Sequence, residues 1–211
     1  PDWIVYDGID AADNCAISRA RHSYSPGILL GALGWLYKTT NQASYASDAS
    51  TLLTATLSRF APNGILTDPC EPNCPLNAVT FKGPFARGLG FLYEFTPDST
   101  VREKIKDALS KSVTAMVETC DSSWNCGNNW ASGIPNPQGR SVHDQMVSIE
   151  LMTAYYKTFG ISMKYGLTPP VGAKPAEGNN GVGPIPKGAA TSVKAHVFTP
   201  IAIMVLVMFL V

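Results

Sequence analysis

"SPGILLGALGWLYKTT" (residues 25–40) decides the fold class, because its apolar residues do not keep to one face. Ser25 and Pro26 read as an N-cap and a first helical position. Beyond them Ile28, Leu29, Leu30, Leu33, Trp35 and Leu36 run round the helix, the pattern of a helix covered on several sides. Segment 41–60 is a second helix with a more polar outer face, and 79–95 is a third, apolar on most faces despite its glycines. In 96–120 Val101, Ile105, Ala108, Leu109, Val113 and Met116 recur at helical spacing with Lys and Glu opposite. The fifth helix, 141–160, ends on a capping glycine and places Met146, Ile149, Leu151 and Met152 in the core.

No segment sustains strand alternation. Helices covered all round alternate with amphipathic ones: 25–38 then 43–60, 80–95 then 99–118, then 141–158. An ordinary bundle would be amphipathic throughout, whereas an all-α toroid has inner helices covered on both sides and outer ones half exposed. Five helices are less than half of a closed twelve-helix ring, so residues 1–165 read as an incomplete α/α toroid. The long loops 61–78 and 120–140 would build one of its faces.

Lys+Arg and Asp+Glu balance at 16 each, with no basic stripe, which argues against nucleic acid as a partner. Five cysteines include two close pairs, Cys70 with Cys74 and Cys120 with Cys126. No histidine stands near either pair, so they read as short disulfide loops of an oxidising compartment rather than as a metal site. Neither a metal nor a cofactor is expected. Cys15 is left without a partner, and the chain starts at Pro1 without a leader, which together suggest sequence missing upstream.

Residues 166–196 are rich in Pro, Gly and Ala and read as a linker; 197–211 are apolar and uncharged. Small residues, a polar spacer and a terminal apolar run match a glycosylphosphatidylinositol-anchor signal better than a spanning helix, which needs about 20 apolar residues. Asn180 and Gly188 are the two candidate attachment residues. The expected location is the outer face of the plasma membrane or the cell wall, held by a lipid anchor.

"VYDGID", "YSPGILLGALGWLY", "FKGPFARGLGFLYEF", "NNW" and "VHDQMVSIELMTAYY", in this order, resemble glycoside hydrolase family 76, closest to its fungal Dfg/Dcw-type branch of mannan endo-1,6-α-mannosidases. The resemblance implies an (α/α)6 barrel and cleavage, or transfer, of α-1,6-linked mannose in mannan or in the mannose core of an anchor glycan, with cell-wall polysaccharide as acceptor. It also implies a catalytic pair of adjacent aspartates upstream of "YDG". No adjacent Asp-Asp occurs in this chain, so no catalytic residue is assigned here. A non-catalytic mannan-binding protein and an inactive fragment are the alternatives.

"YDGIDAADNC" (6–15) raises the question of a substitute pair, since Asp10 and Asp13 stand three apart. Gly8 and the lack of apolar periodicity make the stretch a turn instead, with its acids as caps or as sugar ligands. Sugar sites pair polar groups with aromatic faces. On that ground Trp3, Tyr6 and Asp7 are candidates on the first loop, and Tyr24 is one at the mouth unless it is a hydrophobic staple. Lys82 and Arg87 either snorkel or turn a charged head inward to hold a carboxylate or an anionic substrate group. Asn129 and Trp130 form either a sugar platform or a disulfide-pinned structural loop. His143 and Gln145 are weaker candidates, and Asp144 suits a first helical turn.

Overall fold

A computed structural model of the chain describes residues 3–133 and 141–160. Five α-helices carry the fold: α1 (Tyr24–Thr40), α2 (Ala43–Phe60), α3 (Lys82–Phe95), α4 (Ser99–Glu118) and α5 (Val142–Phe159). α1, α3 and α5 lie side by side as an inner row, with α2 and α4 outside it. Glycines set the spacing of that row. A Cβ on Gly88 would collide with the carbonyl of Gly27, and one on Gly34 would meet the Leu92 backbone at 3.2 Å. Gly90 faces Ala154 of α5 in the same way, at 3.2 Å. Contacts therefore climb together along each pair, 27 with 85–88 and 34 with 92, then 83 with 147–150 and 90 with 154. The three inner helices are parallel, and their N-termini share one end.

The core runs between the two layers. Leu30, Phe85, Leu89, Leu92 and Leu151 of the inner row meet Leu52, Leu53, Ile105, Leu109 and Val113 of the outer helices. α3, in the middle of the row, is buried along most of its length; α1 and α5 each leave one apolar face open. This is an arc of an α/α toroid.

Local details depart from the sequence reading. α1 starts two residues early: Ser23, not Ser25, is the N-cap, and Pro26 falls inside the first turn. The Ser23 hydroxyl does not cap the helix but donates to Asp68 Oδ2 at 2.8 Å. Residues 79–81 do not belong to α3, since Ala78–Thr80 form a 3-10 turn before it. Residues 6–15 are not a plain loop. Gly8–Asp10 (β1) pairs antiparallel with Ala16–Ser18 (β2), with Ile9 opposite Ile17. Asp10 caps the turn between them by accepting from Ala12 N at 2.9 Å, and Asn14 and Cys15 take the left-handed conformation.

Met146 and Ile149, expected in the core, are 55% and 64% exposed. They lie on the face of α5 turned away from α3, while Val147 and Leu151 occupy the packed face. Both short disulfides form, Cys70–Cys74 and Cys120–Cys126, and Cys15 is exposed and free. No helix among the described residues is long and apolar enough to cross a membrane. The linker, tail and attachment residues assigned to 166–211 lie outside the described residues.

Candidate functional site

Three parallel helices that start at one end bring their first turns into one region. Loop 61–81 welds α1 to α3. Asp68 is buried, and its carboxylate accepts from Ser23 N and Ser23 Oγ, both at 2.8 Å, and faces His22 Nδ1 at 3.3 Å. Glu71, one turn on, accepts from Asp68 N at 3.2 Å and from Thr67 Oγ1 at 3.0 Å.

Glu71 also holds Lys82, the first residue of α3. Lys82 is 1% exposed; its Nζ lies 2.6 Å from Glu71 Oε1 and 3.8 Å from the centre of the Trp130 ring. It donates as well to the carbonyl of Asn128. Burial lowers the Lys82 pKa, and the Glu71 carboxylate beside it works against that shift. A lysine leaves water only with such partners, so snorkelling is excluded for Lys82. The inward-head reading describes it: the head holds a carboxylate from its own protein.

Trp130 is 1% exposed and donates from Nε1 to Gly127 O at 2.8 Å. Asn129 is buried too. Neither presents a face to a sugar in this arrangement, because the Cys120–Cys126 loop folds them under Lys82. Gln145 of α5 ties the same loop by donating to Cys126 O at 2.9 Å. Asp144 closes a capping box with Ser141, and its Oδ1 is buried without a partner.

Above this buried base lie the groups a ligand can reach. Tyr24, His22 and Phe81 form an aromatic cluster, with the Tyr24 and Phe81 ring centres 4.7 Å apart and His22 and Phe81 at 4.8 Å. The Tyr24 hydroxyl donates to Asp7, whose carboxylate is exposed. That bond, followed by partial burial, raises the Tyr24 pKa above its ordinary value. The staple reading for Tyr24 gives way to this tyrosine–aspartate pair.

The other candidates disperse. Trp3 packs against α2, lining a cavity with Thr56 and Phe60. Tyr6 lies beneath the Arg21 guanidinium at 5.5 Å. Arg87 is exposed and bonds Glu150 of α5 at 2.9 Å. Burial raises the Glu150 pKa, opposed by Arg87.

Sequence reasoning missed Asp68, Glu71, His22, Phe81 and Trp124. A buried lysine requires a carboxylate, and "TDPCEPNC" was the polar loop able to supply one. Trp124 is 54% exposed in the disulfide loop and held in the left-handed conformation at φ 63°. Asp121 fixes its neighbours, accepting from Ser123 N and Asn125 N at 2.9 Å. An exposed indole on a braced loop suits ring stacking. Among the described residues no group of His, Cys, Asp and Glu is placed to hold a metal ion.

A retaining glycosidase needs two carboxylates about 5–5.5 Å apart on either side of the scissile bond. Asp68 and Glu71 do not serve, being buried and committed to Ser23, His22 and Lys82. Neither buried carboxylate is free to attack a glycosidic bond.

The sequence profile described as Glycosyl hydrolase family 76 matches residues 1–159. Mannan endo-1,6-alpha-mannosidase DFG5 of Candida albicans is 27% identical over 175 residues, covering 79% of this chain and 38% of that protein. A crystal structure of Dfg5 from Chaetomium thermophilum in complex with glucosamine superposes with a TM-score of 0.67 at 26% identity, over 75% of this chain and 41% of that one. The GH76A alpha-1,6-mannanase of Salegentibacter sp. HEL1_6 shares the fold, with a TM-score of 0.65 at 21% identity over 74% of this chain and 46% of that one. Its structure was solved in complex with alpha-1,6-mannotetrose, as an inactive variant with two adjacent aspartates changed to alanine. The chain thus spans about two fifths of the length of these relatives.

Proposed function

This chain belongs to glycosyl hydrolase family 76, and from that premise we propose that its protein acts on α-1,6-linked mannose at the fungal cell wall. The activity is of the mannan endo-1,6-α-mannosidase type, by hydrolysis or by transfer of the cut chain to another wall polysaccharide. The observation that carries this reading is the mouth itself. Asp7, Tyr24 and Phe81 cluster at the end where the inner helices begin. Asp7 supplies an acceptor for sugar hydroxyls and the Tyr24–Phe81 pair an apolar wall, with Trp124 as a further stacking face.

The division of labour follows from chemistry. The bacterial relative in complex with alpha-1,6-mannotetrose is an inactive variant changed at two adjacent aspartates, and this chain has no such pair. The bond-cleaving carboxylates are therefore assigned to the part of the family domain that this chain does not span. The buried base of Asp68, Glu71 and Lys82 holds the mouth in shape. The open faces of α1 and α5 are assigned as the seats of the remaining helices of the ring. The apolar tail 197–211 supports anchoring by glycosylphosphatidylinositol, attached at Asn180 or Gly188, on the outer face of the membrane.

Product analysis of the full-length protein with an α-1,6-mannan oligomer tests this. New reducing ends mean hydrolysis and longer products mean transfer; neither appearing would sink the enzyme. The absent Asp pair favours one second reading, a mannan-binding wall protein without chemistry, which predicts saturable oligomannose binding and no products.

A further inference from the structure

A further concave site lies between Trp3–Val5, Arg21, the first turn of α1 and the last turns of α2. It is a cavity of about 210 Å³. Whole small-molecule ligands occupy roughly 300–1,000 Å³, so this space suits a single chemical group.

Its lining is cationic. Arg21 and Arg59 both contribute, and none of the lining residues is acidic. Among the described residues neither arginine forms an ion pair. The Arg21 guanidinium carbon lies 5.5 Å from the centre of the Tyr6 ring, and its Nε is buried without a hydrogen-bond partner among the described residues. The second unpartnered group is Thr56 Oγ1, on a residue only 3% exposed. Thr51 and Thr54 of the same helix donate to carbonyls four residues back, at 3.1 and 3.0 Å. Thr56 lacks that bond, so its hydroxyl is left beside the cavity it lines. Buried polar groups of this kind are normally satisfied, and two around one cavity mark a missing partner.

We propose that this cavity binds a phosphate group, held by Arg21, Arg59 and the Thr56 hydroxyl. Two unpaired cations match the charge of a phosphate monoester, about −1.5 to −2 near pH 7, better than that of a single carboxylate. A tetrahedral oxyanion also accepts from donors on several sides, as a guanidinium edge and a helix hydroxyl provide. Trp3 at the same cavity gives an apolar face for a sugar bearing that phosphate. The site is independent of the mannan reading, since phosphate binding is measurable whether or not the protein cleaves mannan.

The test is calorimetric titration of the full-length protein, in phosphate-free buffer, with inorganic phosphate, mannose 6-phosphate and mannose. Wild type, Arg59→Gln and Thr56→Val are compared. Arg59 is exposed and Thr56→Val keeps the side-chain shape, so both variants are expected to melt as wild type does. The expected result is saturable binding of both phosphates, weakened at least tenfold by Arg59→Gln and several-fold by Thr56→Val, and reduced by salt. Tighter binding of mannose 6-phosphate points to a sugar-borne phosphate and equal binding to the free anion; either upholds the site. Absence of saturable phosphate binding, binding that neither variant weakens, or equal binding of neutral mannose would overturn it.

Discussion

The seams of the inner row and its two outer edges use the same kind of helix and end differently. Along the α1–α3 seam the backbones approach until a methyl group no longer fits at Gly27 or Gly88 and would be tight at Gly31 and Gly34. Along the edges the apolar residues stand in water. Ile28, Leu29, Trp35 and Leu36 on α1, and Val142, Met146 and Ile149 on α5, each follow helical spacing on a single exposed face. The seam is a finished contact between two specific surfaces; the edges are surfaces with the composition of a seam and no neighbouring helix among the described residues. Contiguous exposed apolar faces mark interaction sites. Hydrophobicity alone therefore does not make a seam: the glycines do, by fixing which face meets which.

The mouth end is a third regime, held by charge where the seam is held by shape, and it gives the largest expected effect. Lys82→Ala leaves the Glu71 carboxylate buried and unpaired, and should cost about 3–5 kcal/mol in chemical denaturation. Lys82→Met combined with Glu71→Gln should recover most of that loss. A cost below 1 kcal/mol for Lys82→Ala would mean that the buried pair does not hold loop 61–81 to α3.

At the seam, Gly88→Ala forces a methyl group against the Gly27 carbonyl. A loss of about 1–3 kcal/mol is expected, read from the shift in denaturation midpoint. The edge should answer differently. Ile149→Ser changes a residue that is 64% exposed, so this chain should change by no more than about 0.5 kcal/mol. Its self-association in sedimentation should fall at the same time. Equal costs at Gly88 and Ile149 would erase the distinction between seam and edge.

The smallest effect concerns Tyr24. Its hydrogen bond to Asp7 raises the phenol pKa. A raised folded-state value means that the pair contributes stability below the ordinary tyrosine pKa of about 10, and loses it as pH climbs through the folded value. Ultraviolet titration should find one tyrosine ionising late in wild type and earlier in Asp7→Asn.

Helix number, order and extent were legible in the sequence because the alternation of all-round and one-sided apolar patterns is a local, periodic signal. α2, α4 and α5 keep nearly the bounds that pattern predicts. Met146 and Ile149 were misread because periodicity reports that a face is apolar and not whether anything covers it. Trp130 stayed open between two readings for a related reason: an aromatic among asparagines has the composition of a sugar platform as well as of a pinned loop, and only the fold turns it under Lys82. The Ser23–Asp68 and Glu71–Lys82 bonds join residues distant in the chain and leave no local trace. Asp7 and Tyr24 were each legible as candidates, while their bond to one another was not.

Binding without cleavage at the mouth is tested most directly by titrating this chain with α-1,6-mannotetraose. The resonances of Asp7, Tyr24 and Trp124 would be followed by NMR, and new reducing ends assayed in the same sample. Saturable shifts at those residues with no new reducing ends are the expected result. Reducing ends released by this chain, or saturation with those resonances unmoved, would contradict it.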